Sequence, residues 1–212
     1  MALLMAGSRV AVGQSLDSLL ERSSFSERER TEVINAVERA VEARVPVELL
    51  LPRVAEAIAK RVSVDGIVAS VERDRAMFVE SRRLLLDVGA GELVSNHATW
   101  ARTANLLRAG VPAFAVQRLA GAVSTRPELF RPASILLVSL YDWGISADDA
   151  ADLASATTQS VLSPEQYPIV LDLLIGARSR RIPLRDAVEL LIDSLPVATS
   201  LREIRRTMES MN

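Results

Sequence analysis

The chain contains no cysteine, one histidine (His97) and one lysine (Lys60). Without thiols it can build no disulfide framework, thiolate zinc site, iron–sulfur cluster or cysteine nucleophile. A histidine base, a triad or a histidine-rich metal site would have to rest on His97 alone. On a helix its neighbours three and four residues away are Leu93, Val94, Trp100 and Ala101, and the nearest acid, Glu92, lies off that face. His97 is therefore expected at the surface or the edge of a core.

Other signatures of chemistry are missing as well. "GAGE" at residues 89 to 92 lacks the preceding strand and third glycine of a phosphate loop. No serine stands in a nucleophile elbow, and no aspartate-rich loop has calcium-binding spacing. The expectation is a non-enzymatic protein without cofactor or metal. The alternative enzyme would use a carboxylate pocket centred on His97.

Aromatic residues are only 4% of the chain against 49% apolar, so the core must be built from Leu, Val, Ile and Ala. Those are the residues of close-packed helices rather than of aromatic, Thr-rich sandwiches. No stretch alternates with period two, and no apolar run reaches the roughly 18 residues that span a membrane. A net charge of −2 gives no global attraction to nucleic acid or to acidic membranes.

What is present is helical periodicity from one end to the other. In "SERERTEVINAVERAVEAR" the apolar residues Val33, Ile34, Val37, Ala40 and Val41 form one stripe. Ser26 and Glu29 stand at capping-box spacing before it, with Phe25 at the staple position. Pro52 is expected to kink or split the next helix. A long helix then runs to Gly89-Ala90-Gly91, and "ELVSNHATWARTANLLRA" is expected to be one further helix, closed by Gly110.

The same corner recurs. Gly110-Val111-Pro112 and Gly144-Ile145-Ser146 pair a left-handed glycine and an apolar packing residue with a helix-opening Pro or Ser. Arg44-Val45-Pro46 and Arg181-Ile182-Pro183 carry the second half without the glycine, and Ser163 with Gln166 marks another helix start. Pro112 to Ser146 is 34 residues and Ser146 to Pro183 is 37. Apolar residues follow at the same two offsets: Val116 and Leu119, Ala150 and Leu153, Ala187 and Leu190.

These features predict an all-α chain of roughly ten short helices in hairpins. From residue 100 onward it is α-solenoid-like, with two-helix units of about 35 residues; the alternative is an irregular helical bundle. Residues 14–212 form one domain, with 14–88 as an N-terminal helical cap and 92–212 as the hairpin-repeat part. Residues 1–13 have the outline of a signal-peptide remnant, because Ala11 and Gly13 suit cleavage before Gln14. That reading places a bacterial protein in the periplasm or outside the cell; without cleavage it is cytoplasmic.

Residues 101 to 131 carry a balance of +4, and residues 132 to 176 one of −6. Such blocks either form a charged groove for a partner or answer one another across neighbouring hairpins. The expected function is a non-catalytic scaffold or adaptor for a protein or peptide, with Trp100, Arg102, Arg108, Arg118 and Trp143 as contacts. Nucleic acid is not expected, since the basic block lacks stacking aromatics. A structural or lipid-associated helical protein is the remaining alternative.

Overall fold

A computed structural model describes residues 16–210. The candidate cleavage point before Gln14 lies outside them. Among the described residues the fold is all-helical, with twelve α-helices and no strand. The chain forms two compact units that divide between Glu80 and Ser81. That boundary falls inside a continuous helix rather than at the "GAG" breaker, because Leu85 already belongs to the second core.

The first unit holds α1 (residues 16–21), α2 (Glu27–Glu42), α3 (Leu51–Ala59) and the first turns of α4 (Val64–Asp87). The Ser26–Glu29 capping box forms as expected: the Glu29 carboxylate accepts from the Ser26 N–H at 2.8 Å. Pro52 sits in the first turn of α3, where its missing N–H has no intrahelical partner to lose, after a separate 3₁₀ turn at Val47–Leu49. On α4 the buried stripe Ile67, Val71, Phe78 is interrupted by buried Asp74. Arg53 of α3 answers that carboxylate at 3.3 Å.

The second unit begins with the end of α4. It continues through α5 (Gly91–Ser95), α6 (His97–Arg108), α7 (Ala113–Ala122), α8 (Phe130–Asp142) and α9 (Ala147–Gln159). Then come α10 (Ile169–Ser179), α11 (Leu184–Ser194) and α12 (Leu201–Glu209). The segment expected as one helix is two, α5 and α6. Asn96 is extended between them, and its Oδ1 accepts from the N–H groups of Ala98 and Thr99 at 2.9 and 3.3 Å. A short amide side chain that bonds its own backbone competes with helix continuation, and here it wins. Ser163 and Gln166 form their box, but around a single 3₁₀ turn, Pro164–Gln166. The α-helix starts at Ile169, beyond Pro168, so the expected start lies several residues early.

Packing in this unit is ordered. Helix α7 packs on α9 and α9 on α11, while α6 packs on α8 and α10 on α12. Each hairpin also closes on itself, α6 with α7, α8 with α9 and α10 with α11. Helix α9 lies at the centre and is buried on most sides, its small residues Ala150, Ala151 and Ala154 allowing close approach. Five of the six repeated apolar positions, Val116, Leu119, Ala150, Leu153 and Ala187, are fully buried; Leu190 is half-buried, and Leu191 takes the core position beside it.

The corners are the shared element. Among the described residues six have positive φ: Arg44, Arg61, Gly89, Gly110, Gly144 and Arg181. At each, the left-handed residue's N–H donates to the carbonyl three residues back, and the next N–H donates to the carbonyl five back. For Gly144 and Ile145 these bonds are 3.0 and 3.1 Å, and for Arg44 and Val45 they are 2.8 and 3.0 Å. That pair of bonds satisfies the orphan carbonyls of the helix end and turns the chain. The arginine corners thus carry the whole motif and not half of it, and Arg61-Val62-Ser63 is one that a search for glycine passes over.

Candidate functional site

His97 is the first residue of α6 and is exposed, as expected for a surface position. Among the described residues no three His, Cys, Asp or Glu side chains converge to hold a metal ion. The geometry worth building upward is therefore that of cations, apolar residues and grooves.

The five expected contact residues do not share one surface. Trp100 is 3% exposed and packs in the core, so it has almost no area to offer a partner; a bulky aromatic on the inner face of α6 is an anchor for hairpin packing. Arg118 is bound within the chain: its guanidinium meets Asp148 at 3.1 Å and Asp152 at 2.9 Å on α9, and lies 5.9 Å from the Phe114 ring centroid. The basic and acidic blocks therefore answer one another at this point, across neighbouring hairpins. Arg108 is exposed and donates to Asn105. Trp143 is half-buried, with the Arg178 guanidinium 5.9 Å from its ring.

Arg102 stands apart. It is half-buried, and its Nε donates to the Ser134 hydroxyl of α8 at 2.8 Å; that hydroxyl donates to the Arg131 carbonyl. Burial, and next the field of Arg131, hold the Arg102 guanidinium below its ordinary pKa. Arg102 of α6 and Arg131 of α8 are thus two cations within electrostatic reach of one another. Arg131 also lines an open groove of about 320 Å³, together with Glu128, Pro132, Ile135, Pro164 and Glu165. Ile135, on α8, is 49% exposed there. The 3₁₀ turn at Pro164–Gln166 packs against α8 and forms the opposite wall.

A smaller cleft of about 150 Å³ lies where the α8–α9 corner meets the start of α11, lined by Ile145, Asp149, Arg185 and Val188. Asp149 and Asp186 sit within electrostatic reach of Arg185, whose guanidinium pairs with Glu189 at 2.9 Å. The cleft is thus charge-balanced by its own walls.

Sequence reasoning counted Arg126, Arg131 and Arg180 only as charge, without a role, and passed over Ile135. The signal for some of them was the repeat period itself. Arg102 reaches Ser134 and Arg126 reaches the Thr158 carbonyl, each 32 residues on, and Arg118 reaches 30 and 34 residues on. An arginine that ties one hairpin to the next is therefore found by adding one period. Ile135 carries no such mark, since only packing decides which apolar residue of α8 faces out. No family model matches the chain, and comparisons with curated proteins and with solved structures give no significant match.

Proposed function

We propose that the chain is a non-catalytic helical scaffold whose second unit is an α-solenoid-like stack of two-helix hairpins, and that it binds a protein or peptide partner along the groove of α8. The observation that carries the reading is the packing order. Equivalent helices of successive hairpins touch, α7 to α9 to α11, as nearest-neighbour repeats do. Arginines crossing from one hairpin to the next at a near-constant interval support the same reading.

The contact set changes with the geometry. Arg131 lines the groove with Ile135 as the apolar anchor, while Arg102, Arg108 and Trp143 are not part of its lining. Half-exposed aliphatic surface at Ile135, with Arg131 and the carboxylates of Glu128 and Glu165 lining the same groove, suits an extended segment with one apolar side chain and charges of both signs. An envelope location goes with the Ala11-Val12-Gly13 pattern, and the mass of the native N-terminus tests it.

The test of binding is site-specific photocrosslinking in source cells, with p-benzoylphenylalanine at Ile135 and, as control, at exposed Glu38 of the first unit. The reading predicts a discrete protein adduct at Ile135 that is absent at Glu38 and weakened by Arg131→Gln. Adducts with lipid alone, or the same adducts at both positions, would contradict it. So would an activity that disappears in a folded His97→Ala variant.

A further inference from the structure

The ends of α10 and α12 come together, with Nη2 of Arg180 donating to the Met208 carbonyl at 3.0 Å. Arg178, Arg180 and Arg181 lie at the end of α10, and Arg205 and Arg206 on the last turns of α12, with Arg202 one turn further back in its first turn; all are exposed. Arg83, Arg118 and Arg185 of the same unit each meet a carboxylate. None of the six does so among the described residues. Glu203, whose field reaches Arg206, has its Oε2 engaged by the N–H and hydroxyl of Thr199.

Helix ends attract cations, and the macrodipole accounts for Arg178, Arg180 and Arg206 in or beside last turns. It does not account for the others. Arg181 has φ 64, at a corner where the two preceding hairpins place Gly110 and Gly144. A side chain in that region costs about 1 kcal/mol that glycine avoids. Arg202 lies in the first turn of α12, where the dipole's positive end disfavours it. The left-handed backbone at Arg181 is shared by Arg44 and Arg61 and marks no site by itself, but Arg202 at the unfavourable end of a dipole and neighbours without carboxylates leave an exposed cationic face. Part of it is pre-ordered: Arg178 rests on the Trp143 ring and Arg180 is fixed to Met208.

The geometry points to a docking surface for an acidic polypeptide segment, formed by Arg181, Arg202, Arg205 and Arg206 around the pre-ordered Arg178. Guanidinium forks match carboxylates in pairs. A membrane surface fits less well, because the apolar residues of α12, Ile204 and Met208, are spent in the core and leave no stripe to insert. Nucleic acid fits less well because Trp143, half-buried against the core and with the Arg178 guanidinium 5.9 Å from its ring centroid, is a poor stacking platform. The inference rests on the scaffold reading only in taking a protein as the partner, and it uses a surface other than the α8 groove.

The experiment is binding of fluorescein-labelled octaglutamate to the full chain by anisotropy. Three proteins are compared: wild type, the triple variant Arg181→Gly/Arg202→Gln/Arg205→Gln, and a charge-matched control, Arg61→Gly/Arg28→Gln/Arg73→Gln, in the first unit. Both triples remove the same charge and place one glycine at a left-handed corner. Binding is expected to weaken about tenfold in the first triple and less than about twofold in the control, and to fall with added salt. Equal losses in both, or no binding by wild type, would overturn the inference. Tighter binding to oligothymidine or to phosphatidylserine vesicles than to octaglutamate would overturn the choice of partner. Loss of the Ile135 adduct with retained octaglutamate binding would sink the groove alone, and the reverse would sink the terminal face alone.

Discussion

The two units turn their helices with the same pair of hydrogen bonds but with different residues. In the first unit the left-handed positions are Arg44 and Arg61, at φ 65 and 55; in the second they are Gly89, Gly110 and Gly144, at φ 71, 84 and 91, with Arg181 at 64. A Cβ confines an L-residue to a narrow well near φ +50 to +70°, whereas glycine is free to open further. The comparison teaches that the corner is specified by its bonds and by the apolar residue after it. Glycine is one way to fill the position and not its definition.

The largest effect should come from that apolar residue. Ile145→Ala empties a site that is 5% exposed and is expected to cost about 2–4 kcal/mol in urea unfolding. Val45→Ala at an arginine corner, 2% exposed, is expected to cost somewhat less, on the order of 1–3 kcal/mol. If either were neutral, the packing half of the corner would be idle in that unit. Next come the glycines. Space is open around Gly89 and Gly144, so alanine meets only the backbone penalty there. Gly144→Ala is expected to cost about 2 kcal/mol and Gly89→Ala about 1, because φ 91 lies outside the L-residue well and φ 71 at its edge. Equal costs would break the distinction.

Ion pairing gives the smallest effects and a mirror-image contrast. In the first unit one carboxylate, Glu72, lies between Arg75 and Arg39 at 2.7 and 2.8 Å; in the second one guanidinium, Arg118, lies between Asp148 and Asp152. The bonds from Arg75 and then Arg39 hold Glu72 below the ordinary glutamate range. A carboxyl depressed in the folded state lends stability that is complete above its unfolded pKa of about 4.3 and is lost as pH falls through the lower folded value. Glu72→Gln should therefore reduce the acid sensitivity of unfolding below about pH 4 and leave its high-salt stability little changed. Arg118→Gln, at a side chain 39% exposed, should cost less than about 1 kcal/mol, and less again in high salt.

Much of this architecture was legible because helices announce their ends. Ser26 with Glu29, Pro52 as a helix splitter, and Gly110-Val111-Pro112 each tie a residue type to a backbone need, and each formed. The failures have equally local causes. Asn96 inside an apolar-periodic run looked like a tolerated helical residue, but its side chain took the cap role and split α5 from α6. Arg61 gave no sign, since nothing in an arginine codes for left-handed backbone. The unit boundary was hidden because α4 crosses it without a breaker. For the site, charge was visible and partners were not: Arg118 could be counted, but its bonds to Asp148 and Asp152 depend on how α7 and α9 pack.

The account's central claim is that the arginine and glycine corners are one backbone device. The triple variant Arg44→Gly/Arg61→Gly/Arg181→Gly tests it most directly, with stability measured by urea unfolding. If all three side chains sit in a left-handed well that glycine fills at lower cost, the variant keeps its helical signal and is stabilised by about 0.5–1 kcal/mol per site. A folded variant with a lower unfolding midpoint than wild type would contradict the claim, because glycine loosens a chain wherever the native backbone is right-handed or extended.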